Sequence, residues 1–204
     1  AWHYYPFLSD DALISLRYAR RMLTGHGLSW TDGQPVEGYS NLLWVLLVAV
    51  PGFFGVDLIV AARALGIFSM IAALAFLGLW YGTSYAPRVA WFPVASGLLF
   101  LALGAPIAVW SIGGLEQPLY ASLIALALPL LFVVLESDEP FGRPLAWLSV
   151  VLGLLCLTRP DGPVFAVVAA ATLLARRRSL MLSVRVMVWP VLLSATQLVF
   201  RMLY

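Results

Sequence analysis

Leu42-Leu43-Trp44-Val45-Leu46-Leu47-Val48-Ala49-Val50, closed by Pro51-Gly52, is apolar from end to end yet too short to cross a bilayer. A crossing takes about 20 apolar residues. The stretch therefore reads as a re-entrant or interfacial helix that returns to the side it came from. Its parity decides the fold. If it crossed, Asp10 and Glu116 would lie on opposite faces of the membrane. Because it does not, they fall on one face.

Downstream the chain is dominated by apolar runs. Leu58 to Tyr81, Val89 to Trp110 and Pro118 to Leu135 each reach span length, as does Val184 to Tyr204, where Pro190 is expected to introduce a kink. Leu145 to Leu157 and Val164 to Ala175 are shorter, with Thr158-Arg159-Pro160-Asp161-Gly162 between them. They read either as two spans meeting in a water-filled recess or as a helical hairpin. The expected fold is all-α and polytopic: residues 1–57 an extracytoplasmic loop with juxtamembrane helices, and residues 58–204 a bundle of about six spans.

Composition agrees. Of 204 residues, 62% are hydrophobic and 11% charged, against about 25% charged in soluble domains. Mean hydropathy is +0.94. All twelve basic residues are Arg, and the net charge of +2 implies no nucleic acid or other acidic polymer as partner. The single cysteine, Cys156, forms no internal disulfide. The chain begins at Ala1, nine residues before the first acid, and is expected to be a fragment of a longer protein. Arg176-Arg177-Arg178, with Arg185 nearby, is the strongest cytoplasmic signal. Counting back from it puts Glu136 to Pro144 and Arg88 inside. Gly113-Gly114-Leu115-Glu116, Arg159-Pro160-Asp161 and residues 1–57 fall outside.

Upstream of the short helix runs Ser9-Asp10-Asp11-Ala12-Leu13-Ile14-Ser15-Leu16-Arg17-Tyr18-Ala19-Arg20-Arg21. Two readings stand. Ser9 caps a helix whose first-turn acids suit its dipole. Alternatively, polar groups this dense at a bilayer edge are functional. Leu13, Leu16, Arg20 and Leu23 form one stripe; Asp10, Ile14, Arg17 and Arg21 form another. Asp10 and Arg17 would lie roughly 10 Å apart along the axis, which suits an acid at a reacting carbon and a cation at a leaving phosphate. Gly25-His26-Gly27 reads as a helix end, or as a histidine that donates to phosphate. In Val36-Glu37-Gly38-Tyr39-Ser40-Asn41, Ser40 or Asn41 can cap the short helix. Tyr39 and Trp44 are either interfacial anchors or sugar-stacking rings. Glu116 is a helix cap ahead of Pro118, or a second acid. Arg159 is expected to be sunk in a cavity, pairing with Asp161 or Glu116 or binding a lipid phosphate through its fork.

These blocks, from Ser9 to Arg20, Gly25 to Leu28 and Val36 to Trp44, resemble the first extracytoplasmic loop of GT-C glycosyltransferases, and within them the terminal β-(1→2) arabinofuranosyltransferases of cell-wall arabinan. Gly114-Leu115-Glu116 and Thr158 to Gly162 resemble that family's later motifs. The resemblance implies a bacterial plasma-membrane enzyme with its active site on the extracytoplasmic face. It would use a polyprenyl-phosphate sugar as donor and a glycan or other hydroxyl as acceptor. It also implies a catalytic acid in the first loop and another in a second loop, where Glu116 stands. The family has a span before the acid pair, further spans, and often a soluble C-terminal domain.

The expected reaction is an inverting single displacement with Asp10, Asp11 and Glu116 catalytic. Arg17, His26 and Arg159 would bind the donor phosphate. Tyr39, Asn41, Trp44 and Asp161 would bind sugar or acceptor. Asp10, Asp11 and Glu116 are also candidate ligands for Mg²⁺, Mn²⁺ or Ca²⁺. The rival reading is a transporter or flippase of lipid-linked sugars, since broken helices and buried charges occur there too.

Overall fold

The computed structural model describes residues 7–32, 36, 38–85, 91–138 and 140–203. Ala1, Glu37, Arg88 and Tyr204 lie outside the described residues. Among the described residues the chain forms ten α-helices and no strand. They are α1 (Asp10–Leu23), α2 (Leu42–Phe53), α3 (Leu58–Tyr85), α4 (Trp91–Leu103), α5 (Ala105–Ile112), α6 (Gln117–Glu136), α7 (Arg143–Thr158), α8 (Gly162–Arg177), α9 (Leu180–Val186) and α10 (Val188–Leu203). The chain divides into two compact units, 1–125 and 126–204, with the boundary inside α6.

By length and composition, three helical segments among the described residues can cross a bilayer: Leu58–Gly82, Gln117–Glu136 and Leu180–Leu203. Phe92–Leu103 and Ala105–Ile112 make a fourth if the pair, bent by 56°, is one span. The remaining two of the about six expected spans are α7 and α8, which fall below this length. At 16 residues each they are about 24 Å long, short of a hydrocarbon core of about 30 Å. Helix α2 is also too short, as expected. It runs through Pro51 to Phe53 and unwinds where Phe54 N and Val56 N both donate to Pro51 O and Gly55 takes φ +85°. A left-handed residue ending a helix is glycine's usual role.

In the first unit, α1 lies across α2 and touches α3, while α3 packs on α4 and α5. The buried face of α1 is Ala12, Ser15, Leu16, Tyr18 and Ala19. This face shares only Leu16 with the expected stripes, and Leu13 is exposed. Leu16, Tyr18 and Ala19 of this face pack with Trp44, Val45, Val48 and Ala49 of α2 and with Ala61 and Ala62 of α3.

In the second unit, α7 and α8 pack on each other across the Arg159-Pro160-Asp161 turn, an arrangement of the hairpin kind, one of the two expected readings. Arg159 takes an extended conformation because a residue before proline disfavours the α region. That ends α7 at Thr158, and Gly162-Pro163 starts α8. A Cβ on Gly162 would lie 2.3 Å from Leu155 O, so only glycine permits this close return. The expected kink at Pro190 appears as a break at Met187 between α9 and α10. Proline offers no N–H to the preceding turn, and the nearby Trp189 N–H is satisfied by Ser149 Oγ of α7 instead.

Candidate active site on the first helix

Glycines shape the turn between α5 and α6. Gly114 has φ +84°, and a Cβ there would stand 2.8 Å from Leu8 Cδ1 and 3.0 Å from Ala12 Cβ. The first turn of α1 therefore rests on bare backbone. Four groups hold this turn. Ser9 N donates to Gly113 O (3.1 Å). Trp44 Nε1 donates to Gly114 O (3.1 Å). Arg63 Nε donates to Ile112 O (3.3 Å), and its Nη2 donates to Phe7 O (3.1 Å). Asn41 Nδ2 donates to Glu116 Oε2 (2.8 Å).

Ser9 takes the cap position of α1 but makes no side-chain cap bond; its backbone instead anchors the helix to the turn. Asp10 and Asp11 stand exposed at this anchored end. Asp11 N donates to Asp10 Oδ1 (3.1 Å). Among the described residues neither carboxylate has a cationic partner. Both are open to an incoming hydroxyl.

Glu116 is placed differently. It is 6% exposed and faces inward. Asn41, itself buried, donates to it and also to Ser15 Oγ of α1 (2.9 Å), while Ser15 Oγ lies 3.1 Å from Asn41 Oδ1. The three candidate metal ligands do not gather: among the described residues no group of three His, Cys, Asp or Glu can hold an ion. Tyr39, Asn41 and Trp44, the expected sugar or acceptor ligands, lie inward. Trp44 is fully buried, Tyr39 packs edge-on against Tyr18 at 4.8 Å, and Asn41 serves the Ser15–Glu116 seam.

Further along α1 lies a recess of about 860 Å³, lined by Leu13, Leu16, Arg17, Arg20, Arg21, Thr24, His26, Trp30, Asp57, Leu58 and Ile59. The segment after α1 folds back to form its wall. Arg17 donates to Trp30 O (2.8 Å) and stacks 4.5 Å over the Trp30 ring. Arg21 is held by Ser29 Oγ and Asp32. That guanidinium, bonded to Asp32 and beside it, holds the Asp32 carboxyl below the usual carboxylate range. His26 Nδ1 meets Thr24 Oγ1 at 3.0 Å. Among the described residues Arg20 has no polar side-chain partner. Asp57 Oδ1 caps α3 by accepting from Ile59 N and Val60 N.

The two expected phosphate ligands of the first unit, Arg17 and His26, thus share one recess on the helix that carries the acids. Arg159 and Asp161 belong to the second unit and pair with each other at 3.0 Å. Arg159 is partly exposed rather than sunk in a cavity. Sequence reasoning passed over Arg20, Trp30, Ser15 and Arg63. Arg63 had a signal, a charge inside an apolar run that otherwise reads as a span. Trp30 had none, because its partner Arg17 is thirteen residues away across a turn-rich segment.

No family model matches the chain, and no solved structure matches it. Among curated proteins it is similar to the terminal β-(1→2)-arabinofuranosyltransferase of Mycobacterium tuberculosis, at 28% identity over 210 residues. The match covers 97% of this chain and 33% of that protein, so the chain spans about a third of the relative's length. This is a distant relationship to a glycosyltransferase.

Proposed function

We propose that the chain carries the acceptor-activating and donor-phosphate-binding part of a membrane glycosyltransferase. The reading takes a polyprenyl-phosphate sugar as donor, with arabinofuranose as first choice, and a hydroxyl of an extracytoplasmic glycan as acceptor. One observation carries it: α1 bears an exposed pair of acids in its first turn, and its Arg17, Arg20 and Arg21 line a recess with His26 of the segment that follows. The distant likeness to an arabinofuranosyltransferase supports it.

In the proposed displacement, Asp11 takes the proton from the acceptor hydroxyl as that oxygen bonds the anomeric carbon. The bond from carbon to phosphate oxygen breaks on the opposite face, inverting the centre. Polyprenyl phosphate leaves with the electron pair, so no general acid is required. Negative charge grows on the phosphate, and Arg17, Arg20 and His26 stabilise it from the recess. Asp10 orients the acceptor. The proton passes from Asp11 to solvent. Arg159 is left to its pair with Asp161, and no step is routed through a metal.

The test is transfer by the full-length protein, in liposomes, from a panel of labelled polyprenyl-phosphate sugars to short glycan acceptors. The expected result is a glycosylated acceptor with inverted anomeric configuration and release of polyprenyl phosphate. Label crossing the membrane on intact lipid with no transfer product would establish the transporter instead.

A further inference from the structure

Glu116 is a carboxylate at the mouth of an apolar helix, yet it points into the protein and not toward the exposed acids. Its neighbours explain what it does there. Asn41 carries two amide hydrogens: one goes to Glu116 Oε2 and the other to Ser15 Oγ. Ser15 lies on α1, Asn41 at the start of α2, and Glu116 at the start of α6. A single buried amide therefore ties three elements together. A buried network with its groups satisfied fixes geometry, because any slip leaves a polar group without a partner in low dielectric.

The tie reaches the acid pair through backbone. Glu116 ends the Gly113-Gly114-Leu115 turn. Gly113 O receives the N–H of Ser9, the residue directly before Asp10. Gly114 sits against Ala12, the residue directly after Asp11. Shifting the Glu116 carboxylate moves the surface on which the first turn of α1 rests. Displacement by about 1 Å is enough to cost roughly a hundredfold in rate.

We propose that Asn41 and Glu116 are a positioning pair: Glu116 acts as a buried hydrogen-bond acceptor that holds the Gly113–Gly114 turn, and through it the Asp10–Asp11 corner, in register. The role rests on the transferase reading given above. It assigns Glu116 no contact with sugar, acceptor or metal. What the site requires between positions 41 and 116 is a matched donor and acceptor, and not a negative charge at 116.

The experiment compares Glu116→Ala, Glu116→Gln, Asn41→Leu, Asn41→Asp and the double variant Asn41→Asp/Glu116→Gln in the full-length protein. Steady-state transfer is normalised to folded, monodisperse enzyme. Glu116→Ala and Asn41→Leu should lower kcat by about tenfold or more, since a hydrogen bond to a charged group is lost, with KM for the lipid donor little changed. Glu116→Gln keeps the acceptor oxygen and should recover at least about tenfold over Glu116→Ala. Asn41→Asp alone sets two carboxylates against each other and should be as impaired as Asn41→Leu. In the double variant the donor and acceptor change places: the amide introduced at position 116 donates to the carboxylate introduced at position 41, which restores activity. An active wild type with Glu116→Gln as dead as Asp11→Asn would overturn the positioning role and make the carboxylate itself functional. Normal kcat per folded molecule in Asn41→Leu would reduce the pair to a stability contact. A wild type inert on every donor would remove the transferase reading, and this role with it.

Discussion

Trp44 shows how one side chain joins core and site. Its ring is wholly buried between α1 and α2, and its single N–H goes to Gly114 O. Trp44→Phe should keep most of the packing and lose that bond, at about 1 kcal/mol of stability. Trp44→Ala should cost about 3–5 kcal/mol, both read from unfolding in detergent. The arginines of the recess divide by partner. Arg20→Gln removes a cation that holds no other polar side chain among the described residues, so melting should stay unchanged while KM for the lipid donor rises. Arg21→Gln removes the contacts to Ser29 and Asp32 and should loosen the recess wall, lowering the melting temperature. An Arg20→Gln protein that melts early with normal KM would reverse this division. The Arg21 guanidinium bonded to Asp32 holds that carboxyl below its usual range, so the pair stabilises the fold while the carboxyl is ionised. Its contribution is present above the unfolded carboxylate value, near 3.9, and disappears as pH falls through the lower folded value. At this scale the acids were legible from sequence, because two carboxylates before an apolar stretch stand out. The burial of Tyr39, Asn41 and Trp44 was not. It depends on α1 folding back over α2, and no local pattern encodes that return.

Helix lengths were legible element by element, since apolar runs and their Gly and Pro ends set them. The breaks were less so. Val89 to Trp110 reads as one run, yet it bends by 56° where Gly104 turns extended between α4 and α5. Gly104-Ala105-Pro106 carried the signal: proline belongs in the first turn of a helix, not its interior. The α1 contact face mixes Ala12, Ser15 and Ala19 with Leu16 and Tyr18, and only Leu16 of it lay in an expected stripe, because apolar periodicity weights large aliphatic side chains. Close approach elsewhere rests on small residues. A Cβ on Gly66 of α3 would lie 2.3 Å from Ser111 O of α5, and one on Gly162 would meet Leu155 O at the same distance. Both contacts are with backbone, which cannot rotate away. Gly66→Ala and Gly162→Ala should each destabilise by about 1–3 kcal/mol, measured as a lower melting temperature in detergent. Gly97, whose added Cβ would meet nothing within 4 Å, is the control and should tolerate alanine.

For the molecule as a whole, the decisive inference from sequence was that the Leu42 helix does not span. At 12 residues α2 is about 18 Å long, short of a hydrocarbon core of about 30 Å. Asp10, Asp11 and the Gly113–Glu116 turn lie in one compact unit, where Ser9 N donates to Gly113 O. The arrangement differs in kind from the one expected. Glu116 buttresses the corner from inside, and the recess cations lie further along α1. The central claim is that Asp11 is the base of a glycosyl transfer, and one paired measurement tests it most directly. Transfer from the preferred polyprenyl-phosphate sugar and binding of that donor are measured on purified wild type and Asp11→Asn. The account predicts loss of turnover by about a hundredfold or more in Asp11→Asn, with donor binding and melting temperature retained. Turnover equal to wild type would contradict it.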